Sequence, residues 1–218
     1  MTRWATWVAV GVTVLASGAA LAAELTPFGV ALESKGFKLV GKANGVKQYK
    51  DNAAKIVRIA AEGVIPAPVA DVRAMLLDYR RQDGKVDRVS LSRVLKQGDG
   101  WLIVYQRLKL PIIDDRDYTA RVTWGAGPDH QWVLFDTTGV VGPPPQRGVV
   151  RVTDHSGSWQ LKPVEGGRST FARFQTHIDL GGSLPRWLAR SGAGKELPTL
   201  FTDICRLIDA RRRSRGCK

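Results

Sequence analysis

Residues 150–188 read VRVTDHSGSWQLKPVEGGRSTFARFQTHIDLGGSLPRWL, two runs of alternating character divided by Gly166-Gly167 and closed by Gly181-Gly182. In the second run Ala172, Phe174, Thr176, Ile178 and Leu180 share one parity, so an extended chain puts them on one face of a sheet. Upstream, the same rule sets Arg116, Tyr118, Ala120, Val122 and Trp124 against Asp117, Thr119, Arg121 and Thr123, and groups Trp101, Ile103 and Tyr105 as another apolar row. Segments 89–96, 101–110, 116–124, 130–137, 148–163 and 168–180 are rich in Val, Trp, Thr and Phe and are separated by Gly, Asp and Pro turns. They are expected to form an antiparallel meander.

Ahead of this block, residues 26–35 suggest a short helix, and Phe37–Val40 and Val46–Lys50 flank Asn44-Gly45, a hairpin signal. Lys55–Ile65 continues as strand until Pro66-Ala67-Pro68 breaks it. Pro68 then opens a helix whose face is Val69, Val72, Met75, Leu76 and Tyr79. After the meander Leu197, Leu200, Phe201, Ile204, Leu207 and Ile208 form a stripe, on a helix that starts at Pro198 or continues, kinked, from Leu184–Arg190. A bent sheet wrapping this last helix is the natural way to bury both the stripe and the apolar strand faces.

The chain has 218 residues, enough for one domain with appendages, and 44% hydrophobic residues exclude wholesale disorder. Residues 4–23 form an apolar run behind Arg3 and end in Ala20-Leu21-Ala22, so residues 1–22 are expected to be a cleaved export signal; an uncleaved anchor is the other reading. The expected location is periplasmic or secreted. The remainder carries +12 of the chain's +13, a balance suited to anionic surfaces. Arg211-Arg212-Arg213-Ser214-Arg215 falls in a basic tail, residues 211–218, that either contacts such a surface or is a solvated end. Cys205 and Cys217 are the only cysteines and are read as a buried thiol and a mobile one, or as a bridge. The scattered His130, His155 and His177 form no metal-ligand spacing, so no metal and no cofactor is expected.

Val150-Arg151-Val152, the run Gly157–Pro163, Gly166–Thr170 and Asp179–Leu188, together with Asp115-Arg116-Asp117-Tyr118 and the helix Val69–Tyr79, resemble the START domain family, the lipid-transfer family related to steroidogenic acute regulatory protein. A departure is that Gln82–Asp87, where relatives often carry a Trp, has no aromatic residue. The resemblance covers most of residues 30–210, within one START-like lipid-binding domain expected at residues 23–210, and implies an α+β helix-grip fold. In that fold a curved antiparallel sheet closes around the long C-terminal helix, with an internal hydrophobic cavity for one lipid or sterol-like molecule.

Within that implied cavity the expected ligand-binding residues are Tyr105, Arg116, Tyr118, Val122, Trp159, Phe174, Thr176, Leu197 and Phe201. Arg116 is either a cavity arginine held by a polar partner or a strand-end arginine reaching water, because an unpaired buried charge is costly. The preceding strand offers Gln106 where a carboxylate would be sought, with Asp114, Asp115 and Asp117 as local alternatives. The loop residues Leu110, Pro111, Ile112 and Ile113 either gate the tunnel mouth or pack on the last helix, and the Thr138–Gly148 loop, stiffened by Pro143-Pro144-Pro145, suits a fixed rim. Of the tryptophans, Trp159 has the best claim on the cavity, since its neighbours are small.

The function expected is non-enzymatic: a monomeric, exported carrier of one hydrophobic ligand in transient contact with anionic membrane. A helix-grip enzyme using His177 or Asp179 is the rival, although His177 alternates with the apolar face. A nucleic-acid binder is the second rival, against which export and the lack of a basic-aromatic groove motif argue.

Overall fold

The computed structural model describes residues 27–214 apart from 54, 55, 57, 112, 140, 141 and 183–193. The expected export signal, Cys217, Ile112, the Leu184–Arg190 extension and the end of the basic tail lie outside the described residues.

The sheet contains β1 (Lys38–Ala43), β2 (Val46–Asp51), β3 (Arg58–Ile65), β4 (Val89–Gly98), β5 (Trp101–Leu108), β6 (Asp115–Ala126), β7 (Gln131–Thr137), β8 (Val149–Arg151), β9 (Asp154–Val164) and β10 (Ser169–Asp179). Its order is β1-β2-β3-β10-β9-β7-β6-β5-β4, all antiparallel, while β8 pairs β6 in parallel off this path. The meander expected from the turn spacing is therefore present, and β10 joins it to the N-terminal strands. Asn44 and Gly45 both take positive φ, the backbone that a two-residue hairpin needs. Both free edges are irregular: the β1 register shifts between Leu39 and Gly41, and that of β4 shifts twice.

Helix α1 (Val69–Leu76) is shorter than expected, and α2 (Tyr79–Gln82) is a separate turn. Pro68 lies just outside α1 and accepts its first bonds, from the amides of Asp71 and Val72. Asp78 ends the run because its side chain accepts from Arg81 N and so starts a new turn. The segment lacking an aromatic residue instead supplies Gln82, whose buried amide donates to Met75 O at 3.3 Å and Leu76 O at 3.0 Å. It thus supplies a donor to Leu76 O at the end of α1 and a second one to Met75 O, which also accepts from Asp78 N at 3.1 Å.

The long helix α3 (Leu197–Ser214) lies across the inner face of the sheet and buries Leu197, Phe201, Ile204, Leu207 and Ile208. It is tied to the 83–88 loop through Asp203, which accepts from Asp87 N at 2.8 Å, and through Arg206, which donates to Lys85 O. The boundary expected between residues 210 and 211 falls inside this helix. Arg211–Arg213 form its last turn, and Arg212 pairs with Asp71 of α1 at 2.9 Å. Cys205 is half-buried on α3, and burial raises its thiol pKa.

Candidate functional site

Register fixes which side chains share the inner face. Between β10 and β9, Ala172, Phe174, Thr176 and Ile178 oppose Leu161, Trp159, Gly157 and His155. Val133 and Phe135 on β7 continue these rows, followed by Tyr118, Ala120, Val122 and Trp124 on β6 and by Leu102, Val104 and Gln106 on β5. On the other side of β10 the rows run into Ile59, Ala61, Gly63 and Ile65 of β3. The helix stripe closes on them: ring centroids of Trp159 lie 4.7 Å from Phe174 and 5.3 Å from Phe201, and Phe135 stacks on Phe174 at 6.2 Å. Gly63 admits this approach, since a Cβ there would lie 3.2 Å from the Phe201 ring. Trp159, Phe174, Val122, Leu197 and Phe201 thus meet in one apolar cluster between sheet and α3.

Tyr118 and Thr176 share the same face. The Tyr118 hydroxyl donates to Gln106 Oε1 at 2.5 Å, and Gln106 Nε2 donates to Ser92 Oγ at 3.1 Å, a chain of buried polar groups crossing three strands. Burial and the neighbouring Tyr79 raise the Tyr118 pKa, so it stays a neutral phenol. Thr176 donates to Ser156 O at 2.8 Å.

Arg116 is 2% exposed and points inward as its parity requires. Its partners are not carboxylates: Nε donates to Leu180 O at 3.1 Å, Nη1 to Asp114 O and Nη2 to Gly181 O at 3.4 Å. The guanidinium staples the end of β10 to the loop before β6. Burial lowers its pKa, opposed by the nearby Asp114 carboxylate. Gln106 is occupied by Tyr118 and Ser92, Asp115 pairs with Arg107 at 2.8 Å, and Asp117 faces the other side of the sheet.

Tyr105 is a correction. It sits opposite Thr119 on the outer face, whereas its neighbour Gln106 opposes Tyr118 on the inner one. Nearly every residue of β5 is buried on both sides, so alternation alone could not tell inside from outside. The Tyr105 hydroxyl donates to Asp117 Oδ2 at 2.9 Å, and burial with this carboxylate pushes its pKa up to about 12. Trp101 belongs to the same outer row and lies under the Arg121 guanidinium at 4.8 Å. The Pro-rich loop is also on the outer face and does not rim the inner one. A Cβ at Gly142 would be 3.2 Å from the Tyr105 ring, and Arg151 and Arg107 hold the loop by Pro143 O at 2.8 Å and Gln146 Oε1 at 3.0 Å. Of the expected gate residues, Pro111 is exposed and Ile113 half-buried in the β5–β6 loop.

The acid–base candidates are placed outside as well. His177 Nε2 contacts Asp154 Oδ1 at 2.8 Å, and Ser156 Oγ lies 3.3 and 3.4 Å from the two ring nitrogens. An oxygen nearly equidistant from both nitrogens is not in line with either lone pair, so this trio lacks the directed bond of an activated serine. Asp179 is exposed and accepts from Gly181 N at 3.0 Å. Among the described residues no cluster of His, Cys, Asp and Glu has metal-binding geometry.

One inner-face residue was weighed in the sequence only as a metal ligand and set aside. His155 follows the parity of Trp159 and Gly157, a signal that would have found it, and is 8% exposed. Its ring meets Tyr118 edge-on at 4.6 Å and Phe135 at 5.1 Å. Its Nδ1 has no hydrogen-bond partner, and burial pushes its pKa down to about 3, with His177 adding to the shift.

An antiparallel sheet folded onto one long helix, with an inner face almost free of charge, defines the helix-grip class of folds. The START domain model matches residues 37–208, and the chain belongs to the START domain family, a family of ligand-binding, lipid-transfer domains. An uncharacterized protein of Pseudomonas aeruginosa, PA1579, is 29% identical over 171 residues, covering 75% of this chain and 83% of the relative. The crystal structure of a STAR-related lipid transfer protein from Xanthomonas axonopodis superposes with a TM-score of 0.72 at 24% identity, over 80% of this chain and 99% of that one. Human STARD10 gives 0.72 at 14% identity, over 83% and 77%. The Zhui aromatase/cyclase from Streptomyces gives 0.52 at 16% identity, over 73% and 96%. At these identities the structures share the fold.

Proposed function

We propose that this protein binds one hydrophobic ligand between the inner face of the sheet and α3 and carries it between membranes or to a partner, without catalysing a reaction. The observation carrying this reading is the inner face itself. Rows of apolar side chains from seven strands are covered by the long helix α3 together with α1, and the one arginine described among them has its guanidinium solvated by backbone carbonyls. Such a face gains about 25 cal/mol for each Å² of apolar ligand surface it takes from water. His177 and Asp179, the two residues weighed as acid or base for an enzyme, lie away from it. The run at residues 4–23 supports export to the periplasm or beyond, and the basic last turn of α3 supports transient contact with anionic head groups by a monomer.

Mass spectrometry of organic extracts from the natively purified protein tests the reading: one co-purifying hydrophobic species is expected at near-stoichiometric amounts. Phe201→Trp, which enlarges the ring over Gly63, should lower that occupancy while leaving secondary structure intact. An empty protein that also takes up no lipid from vesicles removes the carrier function.

A further inference from the structure

His155 is a polar side chain kept where an apolar one would pack. It sits on the inner face between Tyr118 and Phe135, and a neutral imidazole always presents one donor and one acceptor. A buried nitrogen without a partner is destabilising, and a Leu or Phe in its place would avoid that cost. We propose that His155, with the Tyr118 ring packed edge-on to it, is the polar anchor of the ligand site, and that it selects an uncharged amphiphile bearing one hydroxyl or carbonyl oxygen. The proposal rests on the ligand-binding reading above and adds the class of head group.

The hydrogen-bond chain determines what the anchor can offer. The Tyr118 proton is committed to Gln106 Oε1, and the Gln106 amide to Ser92. The Tyr118 oxygen keeps its acceptor capacity. The imidazole adds a donor or an acceptor according to its tautomer, so a ligand hydroxyl can give and receive one bond each. Burial keeps the imidazole uncharged at neutral pH, so it offers an anion no ion pair. Among the described residues of the inner face no carboxylate awaits a cationic head, and Arg116 already gives three of its donors to carbonyls. A charged head group would enter this space without a counter-ion, which is costly.

The test uses chain-matched probes, so that the apolar contribution is constant: hexadecan-1-ol, palmitate, hexadecyltrimethylammonium and n-hexadecane, with cholesterol against cholesterol sulfate in parallel. Each is delivered from phosphatidylcholine vesicles to the full-length protein and its retention measured. The wild type should retain hexadecan-1-ol or cholesterol at least about ten-fold better than the charged analogues. His155→Phe should lose about ten-fold of that retention, the worth of one hydrogen bond, with n-hexadecane unchanged. His155→Asn, which keeps a donor and an acceptor, should recover part of the loss, and Tyr118→Phe should reproduce part of it. Circular dichroism and cooperative thermal unfolding establish that each variant folds; if His155→Phe does not, the other two variants decide. Retention of the alcohol unchanged in folded variants, or equal loss of alcohol and alkane, overturns the anchor. Preference for palmitate that disappears in Arg116→Met overturns it too, while leaving the carrier reading standing. Failure of the wild type to retain any probe takes down both.

Discussion

The two faces of the same strands are built on opposite rules. Inward, among the described residues, the strand side chains are apolar or neutral and the single arginine is wrapped in carbonyl oxygens. Outward, acids and bases meet directly. Glu62 holds Arg173 at 2.6 Å, Asp117 holds Arg151, and Asp51 holds Arg58. Arg173 also grips the entering chain by Pro27 O and Val30 O, with Phe28 laid over it and stacked on His130 at 4.9 Å. The outer face therefore spends its polar groups on fastening loops and the N-terminal segment to the sheet. Among the described residues the inner strand face carries none of these ion pairs, and its one charged fastening is the Arg116 staple to backbone carbonyls.

Removing an outer fastening should break stability and spare capture. Glu62→Ala leaves Arg173 and the Tyr49 hydroxyl without their shared carboxylate, and chemical denaturation should show a loss of about 3–5 kcal/mol. Lipid uptake by the fraction still folded should match wild type; a change of under about 1 kcal/mol would mean the two backbone carbonyls alone hold Arg173.

Acid should reach the inner face through His155. Its pKa falls from 6.5 to about 3 on folding, so between these values the unfolded chain binds one more proton than the native one and stability drops as pH falls. The slope from this residue is about 1.4 kcal/mol per pH unit. Comparing wild type with His155→Phe between pH 6 and pH 4 isolates it, and parallel curves would mean that the imidazole can be protonated in the folded state.

Arg116→Met sharpens the contrast further. Because Arg116 serves three carbonyls, its loss should cost about 2 kcal/mol in denaturant and loosen the joint between the β5–β6 loop and residues 180–181. Retention of neutral probes should barely change. A ten-fold loss in a folded variant would make the guanidinium a direct ligand contact. The smallest effect is expected at Arg212→Gln, whose pair with Asp71 is more than a third exposed on both sides. It should lower stability by less than about 1 kcal/mol, and thermal unfolding in low and high salt would detect a larger, salt-sensitive contribution.

The strands of β6, β9 and β10 were readable because one of their faces carries polar residues that alternate with the core, and their inner rows follow that parity. Strand β5 was not, since Trp101, Ile103 and Tyr105 are covered by outer-face partners that no local pattern announces. The inward direction of Arg116 was likewise legible, whereas its partners come from residues 64 and 65 positions along the chain and from a neighbour's backbone, which side-chain chemistry cannot reveal. The inward direction of His155 followed from parity alone, but the residue was weighed only for metal or nucleophile partners, and having none it was set aside. The end of α1 depended on the Asp78 and Gln82 side chains capping short turns, an effect weaker than the helical spacing that surrounds them.

The irregular edges bear on how the protein lives at high concentration. A sheet with two open sides is a template on which a second molecule can lay a strand. Here β1 exposes Leu39 and Val40 at 54% and 58%, an adhesive combination by itself. The bulge between Leu39 and Gly41 throws a docking strand out of step, and exposed Lys38 and Lys42 repel a second copy of the same edge. At β4 two register shifts, with Arg93 and Lys96 outward, do the same. Growth by edge addition is thus discouraged at both ends of the sheet, and straightening β1 while replacing its lysines should promote assembly through that edge.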